Sequence, residues 1–357
     1  MKTGFVLLVG VAVSVSSACA QESGVAPSTA GASLAPLTED VLNAAASITP
    51  ADYFRKISVI AHDSMGGRET PSPGLEMTAA WIASEFARLG LTPGGDDGGY
   101  VQRYAIQSVG ADSLSSNVSV IDDASAPNVV GIIEGSDPTL KDEYVVFSAH
   151  MDHIGIGSPN AEGDSINNGA DDDASGTTAI LELAEAYASL ATKPKRSMIF
   201  LAVSGEEKGL WGSEYFANNP PVSVDRMVAD LNADMIGRNW SDTIVVIGKE
   251  HSDLGTTMNQ VNGAHPELDM TAIDDIWPDE RFYFRSDHFN FAQKGVPILF
   301  FFNGTHEDYH GVDDEVDRID IDKASRITKL LFFLGYEVAE RTERPQWNPE
   351  SRSQIVS

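Results

Sequence analysis

The chain has 357 residues, of which 53 are acidic and 24 basic, for a formal net charge of -29. Contacts to phosphate backbones come from clustered Lys and Arg, so this balance sets nucleic acid aside as a partner. A chain of this length can bury a sizeable core, and with one cysteine, Cys19, it must do so without a disulfide within the chain.

Met1-Lys2-Thr3, the apolar run from Phe5 to Val15 and the small residues from Ser16 to Ala20 have the three-part layout of an export signal over residues 1–20. The run is too short to span a membrane as a mature helix. Cleavage after Ala20 and lipidation of Cys19 both fit, so the expected location is exported: periplasmic or secreted, with a lipid anchor through Cys19 as one route. Residues 21–37 are rich in Ala, Ser, Gly and Pro with no apolar period, and read as a flexible linker.

A short helix is expected to start near Thr38. Apolar residues recurring every three or four positions predict amphipathic helices over 50–63 (Tyr53, Ile57, Ile60) and 75–90 (Met77, Ala80, Ile82, Phe86, Leu89), with Gly90 as C-cap. Gly66-Gly67-Arg68-Glu69-Thr70 between them is a polar turn. Short β-type runs follow at 101–106, 117–121, 128–133 and 144–147, read as antiparallel edge strands leading to a central one. Next come helix 174–190, strand 197–203, a helix near 212–218, and strands 227–231 and 243–247. A helix near 253–262, helix 286–294, strand 297–302 and a terminal helix over 320–340 complete an α/β alternation.

Repeatedly, a β-rich segment ends in a metal-capable group: His150, the pair Glu206-Glu207, Asp234, and the run His306-Glu307-Asp308-Tyr309-His310. Asp171-Asp172-Asp173 adds a cluster at the mouth of a helix. Imidazole and carboxylate together suit zinc, and this supply is enough for two ions sharing one aspartate. Two such ions would acidify a shared water and polarise a carbonyl, which is hydrolase chemistry.

The order His150-x-Asp152, Gly169 to Gly176, Glu206-Glu207-x-Gly209-Leu210-x-Gly212-Ser213, Asn232-Ala233-Asp234-Met235, Ser286-Asp287-His288 and Tyr309-His310 resembles metallopeptidase family 28, the di-zinc exopeptidases of the aminopeptidase Y type. The resemblance implies a three-layer α/β/α fold with a mixed, mostly parallel central sheet of the zinc exopeptidase, phosphorylase/hydrolase-like kind. The resemblance covers roughly residues 50–340, and length and element pattern together predict one peptidase domain over residues 38–341, with 342–357 as a loosely held tail. The resemblance implies two Zn2+ ions, one held by His150 and Asp234, the other by Glu207 and His310, with Asp172 bridging. Glu206 matches the general base, Asp152 the carboxylate that orients His150, and Asp173 the residue beyond the bridge. Tyr283 resembles a tyrosine near the oxyanion, with Ser286 beside it.

The activity so implied is a zinc-dependent aminopeptidase acting on peptides. A carboxypeptidase or dipeptidase of the same family is the alternative, and would need a cationic pocket from Arg281, Arg285 or Arg238. A non-catalytic binding domain would be expected to lack a ligand or the base. Asp171 and Asp173 are expected to cap the helix that follows. His153 and His306 are read as outside the ligand set, and His288 as a packing or hydrogen-bonding residue. The stripe Phe282-Tyr283-Phe284, flanked by Arg281 and Arg285, is read as core or as the rim of a specificity pocket.

Overall fold

The first helices begin where side chains can cap them. In the computed structural model, which describes residues 1, 33–106 and 124–357, Thr38 caps α1 (Glu39–Ser47) and Thr49 caps α2 (Pro50–Ile60), each hydroxyl accepting a backbone N–H of the first turn. Ser72 does the same for α3 (Pro73–Leu89), and Pro73 fits its first position, where no N–H is needed. Gly90 ends α3 at φ +75°, the left-handed conformation expected of it. The export signal, Cys19, most of the linker and the strand expected over 117–121 lie outside the described residues.

The strands are β1 (Thr92–Pro93), β2 (Val101–Ala105), β3 (Ser125–Ile133) and β4 (Tyr144–His150), followed by α4 (Gly176–Ser189), β5 (Ser197–Val203), α5 (Trp211–Asn218), β6 (Met227–Ala233) and β7 (Thr243–Ile247). Then come α6 (Leu254–Ala264), β8 (Thr271–Ile273), α7 (His288–Gln293), β9 (Ile298–Phe301), α8 (Ile321–Glu340) and α9 (Pro349–Ile355). The described strands make one sheet in the order β1-β3-β5-β4-β6-β9-β7-β8, with β2 also pairing β3. Its centre, β5-β4-β6-β9, is parallel, while β3 and β7 run antiparallel to their central neighbours.

Alternation along the central strands builds the two outer layers. Val145, Phe147 and Ala149 of β4 and Met198, Phe200 and Ala202 of β5 join a core shared with α1, α2, α3, α4, α6 and α8. Val146, Ile199, Leu201 and Val203 point the other way, toward Phe216 of α5, Phe291 of α7 and Ile355 of α9. Helices therefore cover both faces, as expected for strands buried on both sides. α8 lies so close to the sheet that a Cβ at Gly335 would come within 2.3 Å of the Phe147 ring.

The tail departs from expectation. Residues beyond Arg341 are packed: α9 is capped by Asn348, Trp347 Nε1 donates to the Gly295 carbonyl at 2.8 Å, and Ile355 is buried. Upstream, the fully buried Arg196 donates to the carbonyls of Val338, Arg341 and Thr342 and pairs with Glu143. Removing residues 342–357 uncovers the face under Ile355 and Trp347, so urea unfolding of the truncated chain should show a loss of at least about 2 kcal/mol.

Candidate metal centre

The parallel strands deliver their C-terminal ends to one edge of the sheet, where open α/β sheets place their sites. His150, the last residue of β4, lies in register with Val203, the last of β5, and Ala233 of β6 with Phe301 of β9. The turn carrying Glu206 and Glu207, then Asp234, and the loop holding His310 gather there. Asp171, Asp172 and Asp173 arrive from the other side, in the irregular turn Ala170–Ser175 before α4. That helix starts at Gly176 instead of residue 174 because the aspartates hold the turn open. Asp173 accepts N–H bonds from Gly176 at 2.8 Å, Met235 at 3.2 Å and His150 at 3.2 Å, so it is a cap and also a tie between β4 and the end of β6. The buried carboxylate of Asp314 accepts the N–H groups of Asp171 at 3.0 Å and Asp172 at 3.1 Å. With its backbone so held, Asp172 presents both carboxylate oxygens to the sheet edge.

Two donor groups meet on those oxygens. Asp172 Oδ1 is 3.2 Å from His150 Nε2, which is 3.6 Å from Asp234 Oδ1. Asp172 Oδ2 is 3.2 Å from His310 Nε2, which is 3.2 Å from Glu207 Oε2. Ligands around one tetrahedral zinc, bonded at about 2.0–2.1 Å, stand roughly 3.3 Å from one another. Both groups have that spacing. Asp234 Oδ1 and Glu207 Oε1 are buried with no hydrogen-bond partner among the described residues, a condition that a bound cation removes. His150, Asp172 and Asp234 can thus hold one ion, and Asp172, Glu207 and His310 a second, and the imidazole and carboxylate donors fit zinc.

The electrostatics ask for positive charge. Burial alone would lower the proton affinity of His150, yet Asp234, Asp152 and Asp172 outweigh it and push the ring well above its ordinary range. Burial also works against His310, but Asp172 and Glu207 raise it to about 10. Asp172 moves the other way: burial favours its neutral form, and His150 and His310 hold it well below the carboxylate range. Burial pushes Asp234 and Asp173 up. Without a metal the site gathers protons, and these are what a metal displaces.

Supporting contacts hold the donors. His150 Nδ1 lies 3.2 Å from the backbone carbonyl of Asp152 and 3.7 Å from its carboxylate. The carbonyl is therefore the nearer orienting group, leaving Nε2 toward Asp172. The Asp152 carboxylate instead accepts the Thr70 hydroxyl at 2.8 Å and the Glu206 N–H at 3.3 Å, tying the Glu206 turn to β4. Ser286 donates to Asp234 Oδ2 at 2.9 Å. Glu206 lines the pocket over the centre with His150, Asp172, Asp234, Arg285 and Tyr309, and Met235, Phe282, Phe300 and Phe302 form its apolar wall.

Arg68, read from sequence as part of a polar turn, is fully buried. Its guanidinium donates to the carbonyls of Met151 (2.8 Å), Ile60 (3.0 Å), Asn168 (2.6 Å) and Gly169 (3.0 Å), clamping the His150 loop against the aspartate turn. Burial lowers its pKa to about 10, which leaves it charged at neutral pH among Asp152, Asp172, Asp314 and Asp173.

Tyr283 does not reach the site. Residues Phe282–Phe284 form one 3₁₀ turn, in which neighbours point about 120° apart. Phe282 takes the pocket, while the Tyr283 ring packs on His251 and His288 with its buried hydroxyl unpartnered among the described residues. The phenol at the pocket is Tyr309, stacked on His310 with ring centroids 3.9 Å apart. Its place next to His310 in the sequence was the available signal. Asp171 accepts the Gly237 N–H at 2.6 Å and faces His306 at 3.3 Å, so it braces the loop that carries His310. His288 is buried, contacts the Tyr283 carbonyl at 2.8 Å and is pushed down to about 3 by burial, a packed neutral ring as read. His153, read as outside the cluster, lies inside it, with Nδ1 2.9 Å from Glu207 Oε1.

The sequence model of peptidase family M28 matches residues 128–334, more than half of the chain. The chain belongs to peptidase family M28. A probable zinc metalloprotease of Pyrenophora teres f. teres is 26% identical over 90% of this chain and 73% of its own. A probable leucine aminopeptidase of Arthroderma benhamiae is 29% identical over 60% of this chain and 58% of its own. Among solved structures, the LapA aminopeptidase of Legionella pneumophila superposes with a TM-score of 0.63 at 23% identity, covering 85% of this chain and 76% of that one. The zinc aminopeptidase BSAP of Bacillus subtilis gives 0.65 at 15% identity, covering 87% and 98%. These likenesses show that this M28 chain has the zinc aminopeptidase fold, the α/β class expected from its sequence.

Arg68 offers a test of how the M28 site is held. A lysine keeps the charge but has three donors for four carbonyls on a different stem. Arg68→Lys should lower stability by at least about 2 kcal/mol in urea unfolding and weaken zinc binding in the same protein; a variant with wild-type values of both would remove Arg68 from this role.

Proposed function

We propose that this M28 peptidase is an exported di-zinc aminopeptidase that removes N-terminal residues from peptides. The observation that carries the reading is Asp172, whose two oxygens face His150 and His310 at 3.2 Å each, the arrangement expected of a carboxylate shared by two ions. His150 and Asp234 would hold one zinc, Glu207 and His310 the other. Two zinc ions so held supply Lewis-acid polarisation of a carbonyl and lower the pKa of a water that they share.

Glu206 is the remaining carboxylate of the pair, facing the pocket. Burial, joined by Asp287, Asp234 and Glu207, pushes it well above the ordinary carboxylate range, which suits a group that takes a proton and gives it back. It accepts a proton from the attacking water, whose oxygen bonds to the scissile carbonyl carbon. The same proton then passes to the leaving nitrogen as the C–N bond breaks. Ser286 keeps Asp234 in place through its 2.9 Å hydrogen bond. The apolar wall of Met235, Phe282, Phe300 and Phe302 suits a bulky apolar first residue, in keeping with the names of the probable leucine aminopeptidase relatives. The substrate's free amine would anchor near one zinc or a nearby carboxylate.

Glu206→Ala should keep both metals and lower kcat by about 10²–10⁴-fold, read from hydrolysis of leucyl-anilide alongside zinc analysis; near-full activity would remove Glu206 as the base. One observation favours the carboxypeptidase reading: Arg285 lines the pocket, where it can meet a substrate carboxylate. Arg238 is paired with Asp308 at 2.7 Å and is not available for that. Leucyl-anilide should be cleaved and N-blocked dipeptides left intact, with chelation abolishing the activity and zinc restoring it; cleavage of the blocked dipeptides alone would reverse the assignment. Export is tested by mass spectrometry of the mature protein, which should begin at residue 21 or carry an acylated Cys19, and an intact Met1 start would count against it.

A further inference from the structure

His153 is fully buried, and neither ring nitrogen has a hydrogen-bond partner among the described residues. A buried imidazole left this way is costly unless something else satisfies it. Its Nδ1 lies 2.9 Å from Glu207 Oε1, another buried atom without a hydrogen-bond partner, and 3.6 Å from Asp172 Oδ2. The short contact to Glu207 lacks the alignment of a hydrogen bond, as expected of two donors that face a third body between them. Together with the 3.2 Å contacts of His310 to Asp172 and Glu207, these distances bracket the roughly 3.3 Å edge of a tetrahedral zinc shell.

The ring is packed closely against Gly169. A Cβ at Gly169, whose φ is +52°, would come within 2.5 Å of it. The Gly169 carbonyl is held by Arg68 at 3.0 Å, and the His153 N–H donates to the Arg68 carbonyl at 3.2 Å. Arg68 therefore holds His153 through its own backbone carbonyl and braces the adjacent Gly169 through its guanidinium, with the His310 ring edge-on at 5.6 Å.

We infer that His153 is a fourth protein ligand of the second ion, bound through Nδ1 beside Asp172, Glu207 and His310. The inference rests on the di-zinc reading and makes the two positions unequal. His150, Asp172 and Asp234 leave the first ion a free coordination position, while the second, with two imidazoles and two carboxylates, would have to expand to five ligands to share the attacking water. Three protein ligands with an open place is the pattern of a reacting zinc, and four is that of a firmly held one.

X-ray absorption of the zinc-loaded wild-type protein, together with metal analysis, decides the matter without a mutation. Three imidazoles over two ions give an average of about 1.5 histidines per zinc, against about 1.0 if only His150 and His310 bind. Two bound zincs with about 1.5 support the inference. Two bound zincs with about 1.0 overturn it and leave the di-zinc reading standing, whereas fewer than two zincs overturn both. His153→Gln, with folding checked by circular dichroism, should bind one of its two zinc ions at least about 10-fold more weakly and the other as the wild type does. Unchanged affinity for both ions in the folded variant contradicts the inference.

Discussion

Carboxylates crowd one end of the sheet to a degree that the protein's own cations do not balance. Asp152, Asp171, Asp172, Asp173, Asp234 and Asp287 are buried there with Glu206 and Glu207 beside them, while Arg68 is buried among them and Lys323 lies behind Asp171. Burying a charge without compensation is expensive, and groups so placed either neutralise or acquire a partner. The raised proton affinities of His150 and His310 are the first response, and divalent cations are the stronger one. This imbalance makes sense of features that look wasteful one at a time: aspartates massed at a helix start, acceptors left unpaired, and a guanidinium spent entirely on backbone carbonyls.

The scaffold around the centre follows from that imbalance. Repulsion would spread such a cluster, and several of the acidic residues that do not face the shared oxygens of Asp172 are tied elsewhere. Asp173 spans β4, α4 and the end of β6, and Asp314 holds the backbone of Asp171 and Asp172. Asp152 connects the Thr70 turn to Glu206. The parallel strands give the coarse placement, with His150 and Asp234 at the ends of neighbouring strands, and the side-chain ties supply the fine one. Groups meant to act within tenths of an ångström need such a second layer of support.

Much of this was legible in the sequence because it has a period or an order. The apolar run from Tyr144 to Phe147 ending in His150, the alternation of helix-like and strand-like segments, the helix start near Thr38 and the cap at Gly90 are local signals. The residues His150, Asp172, Glu207, Asp234 and His310 stand in an ordered series of motifs, and the structure brings them together. What was hidden depends on direction and distance in space. Nothing local distinguishes the buried Arg68 from an exposed arginine in a polar turn. A one-residue rotation in a 3₁₀ turn decides that Phe282 and not Tyr283 faces the pocket, and periodicity cannot assign that over three residues. His153 stands three positions past His150 on an irregular loop, where spacing implies no direction. The tail read as loose because Trp347 and Ile355 are too few to show a period, yet they cover a waiting apolar face.

The central claim is that the acidic cluster is a two-cation site organised on Asp172. Anomalous diffraction at the zinc edge, from crystals of the metal-loaded protein, tests it most directly. The account predicts two peaks about 3.5–4 Å apart, one against each oxygen of Asp172. A single peak, or a second ion that does not touch Asp172, would contradict it.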